Sequence, residues 1–295
     1  MRASGIARCQ CGCYKNGVAS REKENALELF RAAAGAADER MDLVEGALLI
    51  AQAEYPELDR AAYRRRLEEM GREARQVCAS GQTAEGLERL SRLFAERWGF
   101  HGNRDDYYDP RNSFLNDVLD RRTGIPITLS LVYIEVGRRA GLELVGVGMP
   151  GHFLVGCADR SDLYVDAFSE GALLTRADCA ARLRELQPDV VFRPEFLEAV
   201  GPRLILTRML NNLLEIYLQT KRFPKALTAV EMALCLQPVE PEWLRRRAVI
   251  YYQLKNYSRA ITDLERYLEL VPDAADRDAI VQQLTALRQL RSMVN

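Results

Sequence analysis

Residues 124–166 read GIPITLSLVYIEVGRRAGLELVGVGMPGHFLVGCADRSDLYVD, and this stretch decides the fold class. Gly124 interrupts one helical pattern, and Pro126 suits the first turn of the next, where its missing N–H costs little. From Pro126 to about Arg139 the apolar residues Ile127, Leu131, Ile134 and Val136 keep a helical pattern that Gly141 ends. Three strand-like segments follow: Leu142–Met149, His152–Cys157 and Leu163–Asp166. They are rich in Val, Leu and Phe and are separated by Pro150-Gly151 and by Asp159–Asp162. A run of helices followed by a run of strands predicts an α+β domain rather than a wound parallel sheet.

Upstream, the spacing predicts helices over Asp42–Tyr55, with Leu43, Ala47, Ile50 and Ala51 on one stripe, over Ala61–Ala79, and over Thr83–Arg97. A further helix is expected over Ser113–Arg122, after a turn-rich stretch from Gly99 to Pro110. Residues 1–24 read as an irregular tail, and residues 25–200 as the α+β domain with its N-terminal helices.

Downstream, residues 201–295 are helical and repetitive. Tyr217 and Tyr251 lie 34 residues apart, as do Phe223 and Tyr257, Ala226 and Ala260, Leu234 and Leu268, and Pro238 and Pro272. That period is the signature of tetratricopeptide helical hairpins. Only two units are visible, so the pair must lean on the first domain or on a partner. The apolar run around Leu204–Leu214 is the expected docking face, and Leu284–Leu290 the outer cap.

Forty-one basic and 42 acidic residues give a formal net charge of −1. This balance gives no general attraction to nucleic acid or to an anionic membrane. Arg245, Arg246 and Arg247 read as a solvated helix face. No apolar run approaches the ~20 residues that span a bilayer. Seven cysteines without export features predict reduced thiols and a cytoplasmic protein. Cys9, Cys11 and Cys13 are spaced C-x-C-x-C rather than as zinc ligands. We expect no metal and no cofactor.

The chain has two histidines. His101 reads as a surface residue. His152 lies in Pro-Gly-His-Phe, and Asp166 follows on the next strand, where neighbouring antiparallel strands can set the two side by side. A separation of about 2.7–3.2 Å is expected. The pair has two readings: the base and orienting carboxylate of a nucleophilic site, or a buried turn histidine beside a turn-capping carboxylate. Asn103, Tyr107, Tyr108 and Asn112, just before the core helix, read either as a ligand-binding cleft rim or as a hydrogen-bonded loop whose side chains cap the next helix.

The segments GFHGNRDDYYDPRNSFLNDVLDRRTGIPITLSLVYIEVGRRAGL, GVGMPGHFLVG and VDAFSEG resemble the transglutaminase-like superfamily, and more closely its SirB-type bacterial members. The resemblance runs from about residue 42. It implies a papain/transglutaminase-like core followed by tetratricopeptide-like helices. In active superfamily members a cysteine at the start of the core helix is the nucleophile. Here that position falls near Pro126, and no cysteine occurs between Cys78 and Cys157. Thr128 and Ser130 are the nearest hydroxyls, and Cys157 is expected on the opposite strand face. The resemblance therefore implies a regulatory or adaptor protein that binds a protein or peptide. The alternatives are a hydrolase or acyltransferase using His152 and Asp166 with a hydroxyl or water, and a structural module within a larger assembly.

Overall fold

The computed structural model describes residues 25–78 and 83–294. Cys9, Cys11, Cys13 and the expected irregular tail lie outside these residues.

A first helix, α1, spans residues 25–34. Helix α2, Leu43–Glu54, begins where Asp42 Oδ1 accepts the Glu45 N–H at 2.9 Å. The expected stripe is buried, but so are Val44, Leu48 and Leu49. The helix is covered on more than one side because α8, Pro202–Gln219, lies against it. Gly46 makes that approach possible: a Cβ there would sit 2.4 Å from Leu206 Cδ1. Helix α3 is Arg60–Cys78, and α4, Thr83–Arg92, continues as a wide turn over Leu93–Arg97.

The turn-rich segment carries strand β1, His101–Gly102, and a 3-10 turn, Pro110–Ser113. The helix expected over Ser113–Arg122 is shorter: α5 is Leu115–Arg121, stopped by Arg122 in the left-handed region at φ 57°. Strand β2, Thr123–Gly124, pairs in parallel with β1. Helix α6 then runs Pro126–Ala140, with Pro126 in its first turn and Gly141 at φ +96° ending it.

The sheet has five antiparallel strands in the order β6-β5-β4-β3-β7. They are β3 Leu144–Val147, β4 Leu154–Cys157, β5 Arg160–Asp166, β6 Ala172–Thr175 and β7 Ala199–Val200. Strands β3 and β4 are shorter than the segments expected from sequence, β5 starts three residues earlier than expected, and β6 and β7 were not anticipated, nor was helix α7, Arg176–Leu186. Side chains alternate across the sheet as the pleat requires. Val155 and Val165 join the main core with Leu131, Tyr133 and Phe94 of the helices, whereas Leu154 and Tyr164 pack with Cys179 and Leu183 of α7.

Beyond Gly201 the chain is helical, as the 34-residue period predicts. Helices α8 and α9, Phe223–Leu236, form one hairpin, and α10, Pro241–Gln253, and α11, Tyr257–Leu270, form the next. Helix α12, Arg277–Val294, covers the end with Ile280, Leu284 and Leu287 buried. Docking through the run around Leu204–Leu214 is seen in outline, since Ile205, Leu206, Met209, Leu210, Leu213 and Leu214 all enter the main core. Leu204 does not; it is 42% exposed. Arg203 ties the hairpins to the N-terminal helices: its guanidinium donates to Ala34 O at 3.0 Å, Ala36 O at 2.8 Å and Leu236 O at 2.7 Å. An ion pair between Lys225 and Glu54 adds a second tie. The Arg245–Arg247 face is not simply solvated. Arg245 pairs with Asp276, Arg246 with Glu215, and Arg247 with the buried Asp263 at 2.8 Å.

Candidate functional site

His152 follows the Met149–Gly151 turn, and Asp166 closes β5. The β4–β5 register pairs Val155 with Val165, so the two polar residues meet at one end of the sheet. His152 Nε2 lies 3.1 Å from Asp166 Oδ2, with side chains 5% and 0% exposed. The separation falls in the expected range, but the ring N–H is not aimed at the oxygen, and Nε2 has no aligned hydrogen bond. The pair is in contact rather than in a directed bond.

Asp166 has further partners. Oδ1 accepts the backbone N–H groups of Phe168 at 3.1 Å and Ser169 at 3.2 Å, and Oδ2 accepts the Ser169 hydroxyl at 3.0 Å. Arg182 of α7 approaches Oδ2 at 3.4 Å. Burial pushes this carboxyl up, but the facing imidazole and the Ser169 donors outweigh it and hold it below the usual carboxylate range. Both sequence readings of Asp166 therefore coexist: it caps its own turn and it faces the imidazole.

A cavity of about 250 Å³ opens beside His152. One wall is the start of α6, Ile125 to Ile127; another is α8, through Arg208, Asn211 and Asn212. Tyr107 lines it as well. The start of the core helix, where the superfamily resemblance implies a thiol, is thus the apolar Ile125-Pro126-Ile127 turn, which shares the cavity lining with His152.

The structure does not bring the expected hydroxyls to the imidazole. The Thr128 hydroxyl is fully buried and donates to Asn112 O at 2.6 Å, while Ile125 N–H donates back to it at 3.3 Å. It locks the α6 N-terminus to the preceding turn. Ser130, also fully buried, is directed at Phe153 O, 3.5 Å away. Neither lines the cavity, which removes both from the position a nucleophile needs.

Two of the four rim residues are loop staples. Asn112 is fully buried, donates to Asp106 O at 2.8 Å and Tyr107 O at 3.2 Å, and accepts from Asn103 Nδ2 at 3.1 Å. Asn103 in turn accepts the Asp106 N–H at 3.0 Å. Tyr107 sits at the cavity, edge-on to Phe168 at 6.0 Å, and burial pushes its hydroxyl up. Tyr108 packs edge-on to Tyr107 but is 64% exposed and outside the cavity. His101 is exposed, as expected, with Nε2 3.0 Å from the Thr123 hydroxyl.

Cys157 is buried, away from the cavity lining, and burial, then Asp159, pushes its thiol up to about 11. In the native protein its alkylation by iodoacetamide is expected to be at least about 100-fold slower than that of a free cysteine near its ordinary pKa of ~8.5. Peptide mapping by mass spectrometry reads this; fast native labelling of Cys157 would contradict the burial.

The α8 wall was not anticipated. Arg208 Nη2 donates to Met149 O at 3.1 Å and to His152 O at 2.9 Å, and the guanidinium lies 5.4 Å from the Phe153 ring centroid. A helix of the C-terminal hairpins therefore holds the turn that carries His152. Among the described residues no three His, Cys, Asp or Glu side chains gather as a metal site, and no helix is long and apolar enough to cross a membrane.

Comparison with known proteins agrees with this architecture. Residues 61–211 match the transglutaminase-like superfamily, and residues 213–285 match the tetratricopeptide repeat. The boundary between the two matches falls inside α8. A UPF0162 protein of Xylella fastidiosa is 37% identical over 281 residues, covering 90% of this chain and 96% of its own length. A UPF0162 protein of Vibrio cholerae is 31% identical over 251 residues, covering 84% and 93%. Protein SirB1 of Salmonella typhimurium is 25% identical over 205 residues, covering 69% and 76%. The chain belongs to the transglutaminase-like superfamily, within the UPF0162 proteins.

Proposed function

We propose that this chain is a non-catalytic binding protein that takes a protein or peptide partner in the cleft beside His152, with the helical repeats forming part of the same surface. One observation carries the reading: the start of α6, which lines the same cavity as His152, is Ile125-Pro126-Ile127 and offers neither thiol nor hydroxyl. The Thr128 and Ser130 hydroxyls are committed to backbone carbonyls. Tetratricopeptide repeats are general protein-interaction scaffolds, which supports a protein or peptide as the ligand. Buried free thiols at Cys78, Cys157 and Cys179 fit a reducing compartment and a place in the cytosol.

The second reading is a hydrolase or acyltransferase in which His152, oriented by Asp166, activates water. The 3.1 Å contact and the adjoining cavity favour it. Ester and peptide substrates, with hydroxylamine as acyl acceptor, separate the two. The binding reading predicts equal background rates for the full chain and for His152→Ala. A fall of about 100-fold or more in His152→Ala, the scale of a general base's contribution, would establish the enzymatic reading instead.

A further inference from the structure

The α8 wall of the cleft carries a cation with no counter-ion among the described residues. Arg208 is partly buried, and its hydrogen bonds go to two neutral carbonyls, both through Nη2. Among the described residues it forms no ion pair, and the one titratable neighbour that acts on it is the Tyr107 hydroxyl. None of the residues lining the cavity is acidic. Asp166 is engaged by His152, Ser169 and Arg182, and is not among the lining residues.

Other polar groups share the cavity with it. His152, 6% exposed, lines it with Nε2 lacking an aligned bond. Helix α6, Pro126–Ala140, starts at the cavity lining, and its first-turn N–H groups carry the positive end of the helix dipole. Asn212, one turn after Arg208, contributes an amide with no hydrogen-bond partner among the described residues.

A partly dry cation without a counter-ion is costly, and a guanidinium fork fits a carboxylate in two parallel bonds. One arginine matches a single negative charge better than the nearly two of a phosphate monoester. We propose that the cavity is a receptor for a peptide carboxylate, either a free C-terminus or an Asp or Glu side chain, held by Arg208 with Asn212 as a neutral donor. This rests on the reading of the cleft as a binding site and names the chemistry it selects.

Three probes test it on the full-length protein: N-acetyl-Gly-Gly-Gly as the free acid, the same peptide as its C-terminal amide, and N-acetyl-Gly-Glu-Gly amide. At least one acid should bind about 10-fold or more tighter than the neutral amide, a difference of about 1.4 kcal/mol, and weaken with added salt. Preference for the free C-terminus or for the Glu peptide identifies the source of the carboxylate. Arg208→Gln should erase the discrimination. Because that change also frees the carbonyls of Met149 and His152, Asn212→Leu provides a second variant: acid affinity should fall several-fold with an unchanged melting temperature. Equal affinity for acid and amide, or no binding of any probe, overturns the carboxylate assignment and leaves the question of turnover to the separate ester assay. Cleavage of the probes would overturn the binding reading itself.

Discussion

Asp166→Ala is expected to destabilise the protein by about 3–5 kcal/mol, the cost of removing one partner from a buried charged cluster. The carboxylate is fully buried and accepts from Phe168 N, Ser169 N and the Ser169 hydroxyl while facing His152 and Arg182. Alanine leaves those donors without a partner and Arg182 with only the more distant Glu185 carboxylate. Asp166→Asn keeps an oxygen for the two N–H groups and should lose less. The same carboxylate gives stability a sign in pH. Its folded pKa lies below the unfolded value of ~3.9, so its contribution is complete above that value and fades as pH falls toward the folded one. Denaturant titrations at pH 7 and pH 3 should show the wild type losing more stability on acidification than Asp166→Asn. Equal losses would mean that the carboxylate is not stabilised in the folded state.

Leu206→Asp should be comparably severe, at about 4 kcal/mol or more, because it places a charge in a packed interface with no partner. Leu206 is 1% exposed and sits over Gly46 of α2. Leu204, two residues earlier on the same helix, is 42% exposed, and Leu204→Asp should change stability by no more than about 0.5 kcal/mol. Thermal melts of the two variants measure the contrast. Similar, small effects from both would show that α8 is not docked.

What was legible in the sequence follows from what is local. The 34-residue spacing from Tyr217 to Tyr251 reports a repeat because each hairpin needs the same apolar positions to stack. Pro126 and Gly141 mark the ends of α6 through backbone chemistry alone. The His152–Asp166 contact was readable because strand alternation and a tight turn fix which residues can meet. Strands β6 and β7 were missed because they are short and carry little apolar pattern: Ala199–Val200 is two residues. The roles of Thr128, Asn103 and Asn112 were undecided because only the tertiary fold shows whether a hydroxyl or amide turns to the cavity or to a carbonyl. Arg208 was missed because its partners lie 56 and 59 residues away. A signal was present: Arg208, Asn211 and Asn212 lie three and four residues apart and put one polar face on the otherwise apolar run from Leu204 to Leu214.

The central claim is that α8 belongs to both parts of the protein, so that the cleft and the repeats form one cooperative body. The two tryptophans allow a direct measurement. Trp98 is buried in the first part and Trp243 in the hairpins, 8% and 7% exposed. In the single-tryptophan variants Trp98→Phe and Trp243→Phe, fluorescence follows each part separately through denaturant unfolding, and far-ultraviolet circular dichroism fixes each variant's own global midpoint. In each variant the fluorescence transition should coincide with the dichroism transition, and Leu206→Asp should shift both tryptophan signals together. A hairpin signal from Trp243 that unfolds apart from the global transition, or a Leu206→Asp effect confined to one tryptophan, would contradict the shared-helix account.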